Sequence, residues 1–132
     1  MEKPLPRPTA ETRPFWDACR EGRLVFQFCL DCGKAQFPPN TICTTCHGER
    51  LEWRQSKGGG TVHSHTIVHR APSPAFKADA PYVIALIDFD EGFRMMMNVR
   101  APDLATVGIG SRIRVVFETA SAEIALPQAE LA

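Results

Sequence analysis

Four of the five cysteines form two Cys-x-x-Cys pairs, Cys29 with Cys32 and Cys43 with Cys46, and ten residues separate the pairs. Each pair predicts a tight turn, or knuckle, that offers two thiolates to one metal ion. Two knuckles supply the four sulfurs of the tetrahedron that structural Zn2+ prefers. Two disulfides and four unrelated thiols are the alternatives. We favour zinc, and because protein sulfurs would fill every coordination position, we expect a structural ion rather than a catalytic one.

The fifth cysteine and three histidines are weaker candidates. Cys19 falls on the apolar stripe of a predicted helix and is expected to be a small buried side chain, since a nucleophile needs a partnered base and none is evident. His63 and His65 share a face of a predicted strand, and His69 extends the row if the strand continues. The row could bind a second metal or a phosphate, but no carboxylate stands in register to orient the imidazoles. We therefore expect structural or solvent-facing histidines.

A methionine run and four cations complete the set of candidates. In a strand, Met96 must point opposite Met95 and Met97, so one set could meet a partner or an acyl chain; core packing with one surface methionine is the simpler expectation. The cations could contact a phosphate-bearing ligand, although solvated charge is the default; they are Arg70, Lys77, Arg94 and Arg100. The spacing shows no nucleophile–base or acid–base pair. No catalytic residue is therefore assigned.

The composition is that of a soluble folded protein. Its 132 residues, 44% of them hydrophobic, are enough for one modest core and a small satellite module. Fifteen basic residues balance fifteen acidic ones, which is a poor match for a dedicated nucleic-acid binder. No apolar run approaches the roughly 20 residues that span a bilayer, and the N-terminus lacks the apolar segment of a secretory signal. We expect a cytoplasmic protein that does not enter a membrane.

Turn signals divide the chain into three segments. Residues 1–22 form a Pro-rich arm and a short helix, which Thr12 is expected to cap and Gly22 to end. Residues 23–56 form the zinc ribbon that contains both knuckles. Residues 57–132 follow a glycine-rich turn and are expected to form an all-β domain with its own core.

Alternating and β-branched stretches predict the strands. The ribbon has one at 24–28 and one at 51–55, on either side of the knuckles. The third segment has strands at 61–68, 82–88, 93–99 and 112–117, and a weak last strand at 122–126. Five strands with irregular loops fit a small barrel, and the OB-fold is the commonest five-stranded one. The predicted fold class is mainly β: a short helix and a zinc ribbon, followed by an OB-fold-like barrel.

In this order, the features resemble the DUF35 family, whose members join a rubredoxin-like zinc ribbon to an OB-fold associated with acyl-CoA. The resemblance covers residues 13–119 and rests on the combination of motifs. The matching positions are Pro14–Trp16, Gly22, Leu24–Cys29, Cys32–Gly33, Phe37–Pro39, Cys43, Cys46, Leu51–Trp53, Gly58–Gly60, Thr66–His69, Pro81–Val83, Asp90–Gly92 and Gly110. His47 is a small departure, because other residues usually follow the fourth cysteine.

Members of that family typically assemble with thiolase-like or aldolase enzymes acting on CoA thioesters. The resemblance implies a non-catalytic accessory subunit that contributes to partner assembly and acyl-CoA binding. It fixes no CoA-contacting residue. A nucleic-acid-binding OB-fold zinc-ribbon protein is the alternative, disfavoured by the zero net charge and by aromatic residues that mostly precede residue 54. A freestanding ligand-binding or thioesterase-like protein is a third reading.

Aromatic side chains suggest where an enzyme partner would bind. Phe15 and Trp16 on the helix, and Phe37 between the knuckles, are aromatic anchors of the kind that dominate interfaces. Together with the Pro-rich arm, they form the expected contact surface.

Overall fold

The computed structural model describes residues 3–132; residues 1 and 2, at the tip of the predicted arm, lie outside the described residues. The elements are α1 (Arg13–Arg20), β1 (Val25–Cys29), β2 (Ala35–Gln36), β3 (Leu51–Gln55), β4 (Gly59–Val68), β5 (Tyr82–Phe89), β6 (Arg94–Arg100), β7 (Arg112–Thr119) and β8 (Ala125–Leu131). Short 3-10 helices occupy Pro74–Asp79 and Leu104–Thr106. No helix within residues 3–132 is long and apolar enough to cross a membrane. The mainly β fold class is confirmed.

The ribbon is a three-stranded sheet in the order β2–β1–β3. The central strand β1 pairs antiparallel with β3, from Val25 opposite Gln55 to Cys29 opposite Leu51. Its other edge pairs with the two residues of β2, which the sequence did not predict because two residues are too short to show a period. Cys29 is the last residue of β1, so the sheet delivers the chain directly into the first knuckle.

The second sheet closes into a barrel in the order β4–β5–β6–β8–β7. Strands β6 and β8 are parallel and the other neighbours are antiparallel, as the OB-fold prediction requires. The last strand was expected at 122–126 and instead runs from Ala125 to Leu131, so that prediction is wrong in position. Ala, Pro and Gln have little β propensity. Pairing with β7 along the whole strand, rather than local preference, therefore places it.

Alternation along the strands builds the barrel core. Every second residue of β5, from Val83 to Phe89, is buried. On the neighbouring strand β6, Met95 and Met97 are each 5% exposed, whereas Met96 is 69% exposed. The prediction that Met96 points opposite its neighbours is confirmed.

Helix α1 packs on this core through Phe15, Ala18 and Cys19, which are all buried. It begins after Thr12, but the hydroxyl of that residue accepts the Thr9 backbone N–H at 2.8 Å and caps no helical amide. The predicted side-chain cap is therefore wrong. The helix is followed by Gly22, whose φ of 77° is the left-handed conformation that favours glycine.

Phenylalanine rings join the helix, the ribbon and the barrel. Phe26 of the ribbon stacks on Phe93, and Phe93 stacks on Phe89 of the barrel, both with 4.6 Å between ring centroids. Phe15 lies 5.1 Å from Phe37 and is only 3% exposed. The expectation of Phe15 as a surface anchor is wrong, because the core needs its ring. One continuous apolar cluster spans the three parts, so the expectation of a barrel with its own separate core is also wrong.

A carboxylate holds the connection between ribbon and barrel. Glu91, in the β5–β6 turn, accepts the Ser56 hydroxyl at 2.7 Å and the Lys57 backbone N–H at 2.8 Å. The Ser56 oxygen in turn accepts the Gly58 N–H at 2.9 Å. These bonds fix how the ribbon meets the barrel. The divisions after residues 22 and 56 stay a prediction.

Gly60 is required by close packing where β4 passes Phe89. An added Cβ would lie 2.7 Å from Ile87 Cγ2 and 3.0 Å from the Asp88 carbonyl oxygen. We expect Gly60→Ala to lower the free energy of unfolding by about 1–3 kcal/mol, measured as a lower urea midpoint. Gly108→Ala is the matched control, since nothing lies within 4 Å of its added Cβ. Equal midpoints for the two variants would contradict this packing.

Candidate metal centre

The two knuckles have the same backbone design. In the first, the Gly33 N–H bonds the Cys29 carbonyl at 2.9 Å; in the second, the His47 N–H bonds the Cys43 carbonyl at 2.9 Å. Both donors have a positive φ, 73° for Gly33 and 63° for His47. Histidine is among the non-glycine residues that tolerate this conformation. The departure at His47 is thus compatible with the turn, and the two knuckles are near-equivalent.

The four sulfurs converge on one point. Cys29 Sγ lies 3.6 Å from Cys46 Sγ, Cys32 Sγ lies 3.6 Å from Cys43 Sγ, and all four sulfurs lie within 4.8 Å of one another. A disulfide would need about 2.05 Å, so neither pair is oxidised. Zn–S bonds near 2.3 Å in a tetrahedron separate sulfurs by about 3.8 Å. The donor set and its spacing fit structural zinc, and we predict these four side chains as its ligands.

Two backbone amides donate hydrogen bonds to the sulfur of Cys43. Cys43 Sγ accepts the backbone N–H groups of Thr45 at 3.4 Å and Cys46 at 3.5 Å. These bonds favour the thiolate and lower the pKa of Cys43 to about 6. Cys43 is also 1% exposed. The thiolate is the form that binds metals, so these backbone bonds favour Cys43 as a ligand.

Two buried glutamines hold the second knuckle against the ribbon sheet, and the sequence analysis missed both. Gln36 Nε2 donates to Gln27 Oε1 at 2.9 Å and to the Ile42 carbonyl at 3.2 Å. Gln27 bonds both the N–H and the carbonyl of Asn40 at 2.8 and 2.9 Å, and Gln36 Oε1 accepts the Thr44 N–H at 2.9 Å. Glutamine is usually exposed, so only pairing in the folded sheet reveals this role.

Within residues 3–132, the remaining thiol and the histidines belong to no metal-binding cluster. Cys19 is fully buried, and burial raises the pKa of its thiol to about 12, as expected of a packing residue. A bulge between Val62 and Ser64 breaks the alternation, so His63 is exposed while His65 is half-buried. The predicted shared face is therefore wrong. The expected absence of a carboxylate is also wrong, since His63 Nδ1 lies 3.4 Å from Asp88 Oδ2.

Two of the four candidate cations are paired. Arg94 binds Asp88, and the pKa of that carboxyl is lowered mainly by the Arg94 hydrogen bond. Arg100 binds Glu118 at 2.7 Å. The other two cations, Arg70 and Lys77, are exposed; Arg70 follows β4 and Lys77 lies in the 3-10 helix Pro74–Asp79.

Two shallow clefts lie beside these ion pairs. One is lined by Asp88, Phe89, Gly92, Phe93 and Arg94, and the other by Arg100, Ala101, Pro102, Arg114, Glu130 and Leu131. Among these lining residues there is no Ser, Cys or Lys nucleophile beside a base.

Two family models match consecutive parts of the chain. Residues 16–52 match the rubredoxin-like zinc ribbon domain of ChsH2, and residues 53–118 match the C-terminal OB-fold domain of ChsH2. The zinc ribbon and the OB-fold predicted from the residues are thereby confirmed.

Relatives of this chain include enzyme subunits and scaffold proteins. It is 34% identical over 126 residues to a protein of Thermomonospora curvata named "Probable enoyl-CoA hydratase alpha subunit", covering 92% of this chain but only 38% of that protein. It is 34% identical over 90 residues to a "DUF35 domain-containing scaffold protein" of Methanothermobacter thermautotrophicus, covering 67% of each.

A solved structure has the same shape. The structure named "Ltp2-ChsH2(DUF35) aldolase" contains a chain that is 28% identical and superposes with a TM-score of 0.83, covering 96% of this chain and 98% of that one. Sequence matches, zinc-ribbon spacing and full-length superposition agree, and the chain belongs to the DUF35 family of ChsH2-type zinc-ribbon and OB-fold proteins.

Proposed function

We propose that this chain is a non-catalytic, zinc-binding accessory subunit of a thiolase- or aldolase-like complex that acts on acyl-CoA thioesters. Its role is to help assemble the enzyme partner and to contribute to acyl-CoA binding. The observation that carries the proposal is the full-length superposition on the DUF35 chain of an aldolase that also contains Ltp2. The match to part of an enoyl-CoA hydratase alpha subunit supports the same substrate class.

The residues of the chain suit a subunit that leaves catalysis to a partner. Four cysteine sulfurs fill the zinc coordination sphere, so no position stays open for a substrate or a reactive water. The clefts lack a nucleophile–base pair, and Cys19 is buried with a raised pKa. Both features support a subunit that leaves the reaction to a partner.

The outer face of β4, β5 and β6 is the surface that we assign to the enzyme partner. A row of residues crosses it from Ser64 through Leu86 to Met96, which is 69% exposed. At the edge of this face, Asp88 and Arg94 neutralise each other. An apolar centre with a polar rim is the usual anatomy of a protein interface, and methionine adapts to varied partner surfaces.

The same face fits nucleic acid poorly. OB-folds that bind single strands combine stacking aromatics with a basic groove. Here the row centre holds Leu86 and Met96, and the nearby cations Arg94 and Arg100 are each bound to a carboxylate. Few phosphates could be neutralised without breaking these pairs. We therefore place the nucleic-acid reading second.

The partner surface can be tested with Met96→Glu. A charge at the centre of a desolvated contact should weaken the complex with the co-purifying acyl-CoA enzyme subunit by about 10-fold or more, measured by titration of the purified partner. The partner is isolated from the native host and identified by mass spectrometry before titration. The zinc content should be unchanged, because Met96 lies in the barrel and not in the ribbon.

Ile109→Glu is the matched control, since Ile109 is 76% exposed but lies in the turn before β7. It should bind the partner like the unaltered chain. Unchanged binding by Met96→Glu would contradict the assignment of this face. Nanomolar, salt-sensitive binding of a labelled oligonucleotide by the unaltered chain would instead favour the nucleic-acid reading.

A further inference from the structure

An ion pair bridges the two knuckles of the zinc site. Asp31 lies inside the first knuckle, between Cys29 and Cys32, and Arg50 follows the second. Arg50 Nε donates to Asp31 Oδ1 at 2.7 Å, and Arg50 Nη2 lies 2.7 Å from the same oxygen. Neither residue belongs to a sequence pattern that predicts a role for it.

The carboxylate of Asp31 sits against the second knuckle as well. A Cβ on Gly48 would lie 2.5 Å from Asp31 Oδ2 and 3.2 Å from Cys46 Sγ, so glycine is what lets the carboxylate approach this sulfur. A backbone hydrogen bond also joins Arg50 to the first knuckle, since the Leu30 N–H donates to the Arg50 carbonyl at 2.8 Å. Arg50 is thus joined to the first knuckle by both its main chain and its side chain.

Negative charge accumulates at the metal centre, and a nearby cation would offset it. Four thiolates around one Zn2+ leave the centre with a net negative charge, and the Asp31 carboxylate adds another negative charge beside it. A carboxylate near thiolates disfavours their ionised form and therefore disfavours metal binding. Both guanidinium contacts go to one carboxylate oxygen of Asp31, so the positive charge of Arg50 lies directly against the negative charge inside the first knuckle.

We propose that Arg50 is a positioning residue of the zinc site, which neutralises Asp31 beside the thiolates and thereby raises the affinity of the ribbon for Zn2+. The guanidinium touches no sulfur and acts through the carboxylate. This inference does not rest on the accessory-subunit function, since it concerns only metal binding by this chain.

A purely structural ion pair, a mechanical clip that only holds the two knuckles together, would give different zinc affinities in the variants. In that case Asp31→Asn and Arg50→Gln remove the same contact between the knuckles, and both lower the affinity for Zn2+ equally. If charge balance is the role, Arg50→Gln leaves an uncompensated carboxylate next to the sulfurs, whereas Asp31→Asn removes that carboxylate. The two variants then differ, and the double variant recovers what Arg50→Gln loses.

The test is a competition between the full-length chain and a zinc chelator of known affinity. We expect Arg50→Gln to lower zinc affinity about 10–100-fold, the range found for residues that orient metal ligands. Asp31→Asn and the double variant should stay within about 3-fold of the unaltered chain, because the exposed pair itself contributes little. Arg50→Lys, which keeps the charge but loses the planar fork, should fall between them. Rising salt should shrink the deficit of Arg50→Gln.

Arg23→Gln is the matched control, since Arg23 is also an exposed arginine paired with a carboxylate, Glu21, but lies outside the knuckles. It should bind zinc like the unaltered chain. Equal losses for Asp31→Asn and Arg50→Gln would overturn the proposal in favour of a mechanical clip. Unchanged affinity in Arg50→Gln, or no recovery in the double variant, would overturn it as well.

Discussion

Cys43→Ser is expected to unfold the ribbon and to destabilise the barrel with it. Structural zinc contributes on the order of 10 kcal/mol or more to the folding of small zinc domains, which exceeds what a short three-stranded sheet can supply by packing. Cys43 is 1% exposed and its Sγ accepts two backbone N–H groups, so serine removes a buried ligand that the knuckle backbone supports. Chelation of the zinc should have the same effect as the substitution.

The effect should spread because ribbon and barrel share a core. Phe26 of β1 stacks on Phe93 at 4.6 Å, and Phe93 stacks on Phe89 at the end of β5. Glu91 also loses its partners at Ser56 and Lys57 if the ribbon detaches. Removing a large aromatic side chain from a core costs about 3–5 kcal/mol, and loss of the packing on Phe93 approaches that size.

Thermal unfolding and amide hydrogen exchange of β5 and β6 measure this coupling. We expect a lower midpoint and weaker barrel protection in Cys43→Ser than in the zinc-loaded chain. Cys19→Ala is the control, because it removes a buried sulfur that is not among the four converging sulfurs, and it should keep its zinc. A zinc-free chain with an unchanged barrel would show that the two parts fold independently.

The zinc site and most of the strands could be predicted from the sequence. The paired spacing of Cys29, Cys32, Cys43 and Cys46 restricts the chain to a small set of knuckle geometries, so the site is a local property. Strand β5 alternates buried and half-buried positions from Tyr82 to Phe89, which is a period that local reading detects. The family resemblance depended on the same local features.

Other features depend on contacts between distant residues. Phe15 is apolar and near the N-terminus, but only its packing on Phe37 shows that it is buried. The bulge at His63 arises from how β4 pairs within the barrel. It places His63 and His65 on different faces, although strict alternation predicted a shared face. Arg50 belongs to no motif that spacing can detect, and its contact with Asp31 exists only because the fold brings the two knuckles together.

The second large effect is expected on the activity of the enzyme partner. Without this chain, turnover of acyl-CoA by the thiolase- or aldolase-like subunit should fall by about 100-fold or more. The physical reason is that a subunit that completes a binding cleft holds the CoA thioester in productive geometry, and correct positioning lowers a barrier by several kcal/mol. The chain alone should turn over nothing, since its clefts lack a nucleophile–base pair.

The measurement that tests the accessory role most directly is acyl-CoA turnover by this chain alone, by the purified partner alone, and by the two mixed. We expect no turnover by this chain, weak turnover by the partner, and full turnover by the mixture. Addition of Met96→Glu in place of the unaltered chain should restore less activity at equal concentration. Cleavage of acyl-CoA by this chain alone, or equal activity of the partner with and without it, would contradict the accessory-subunit function.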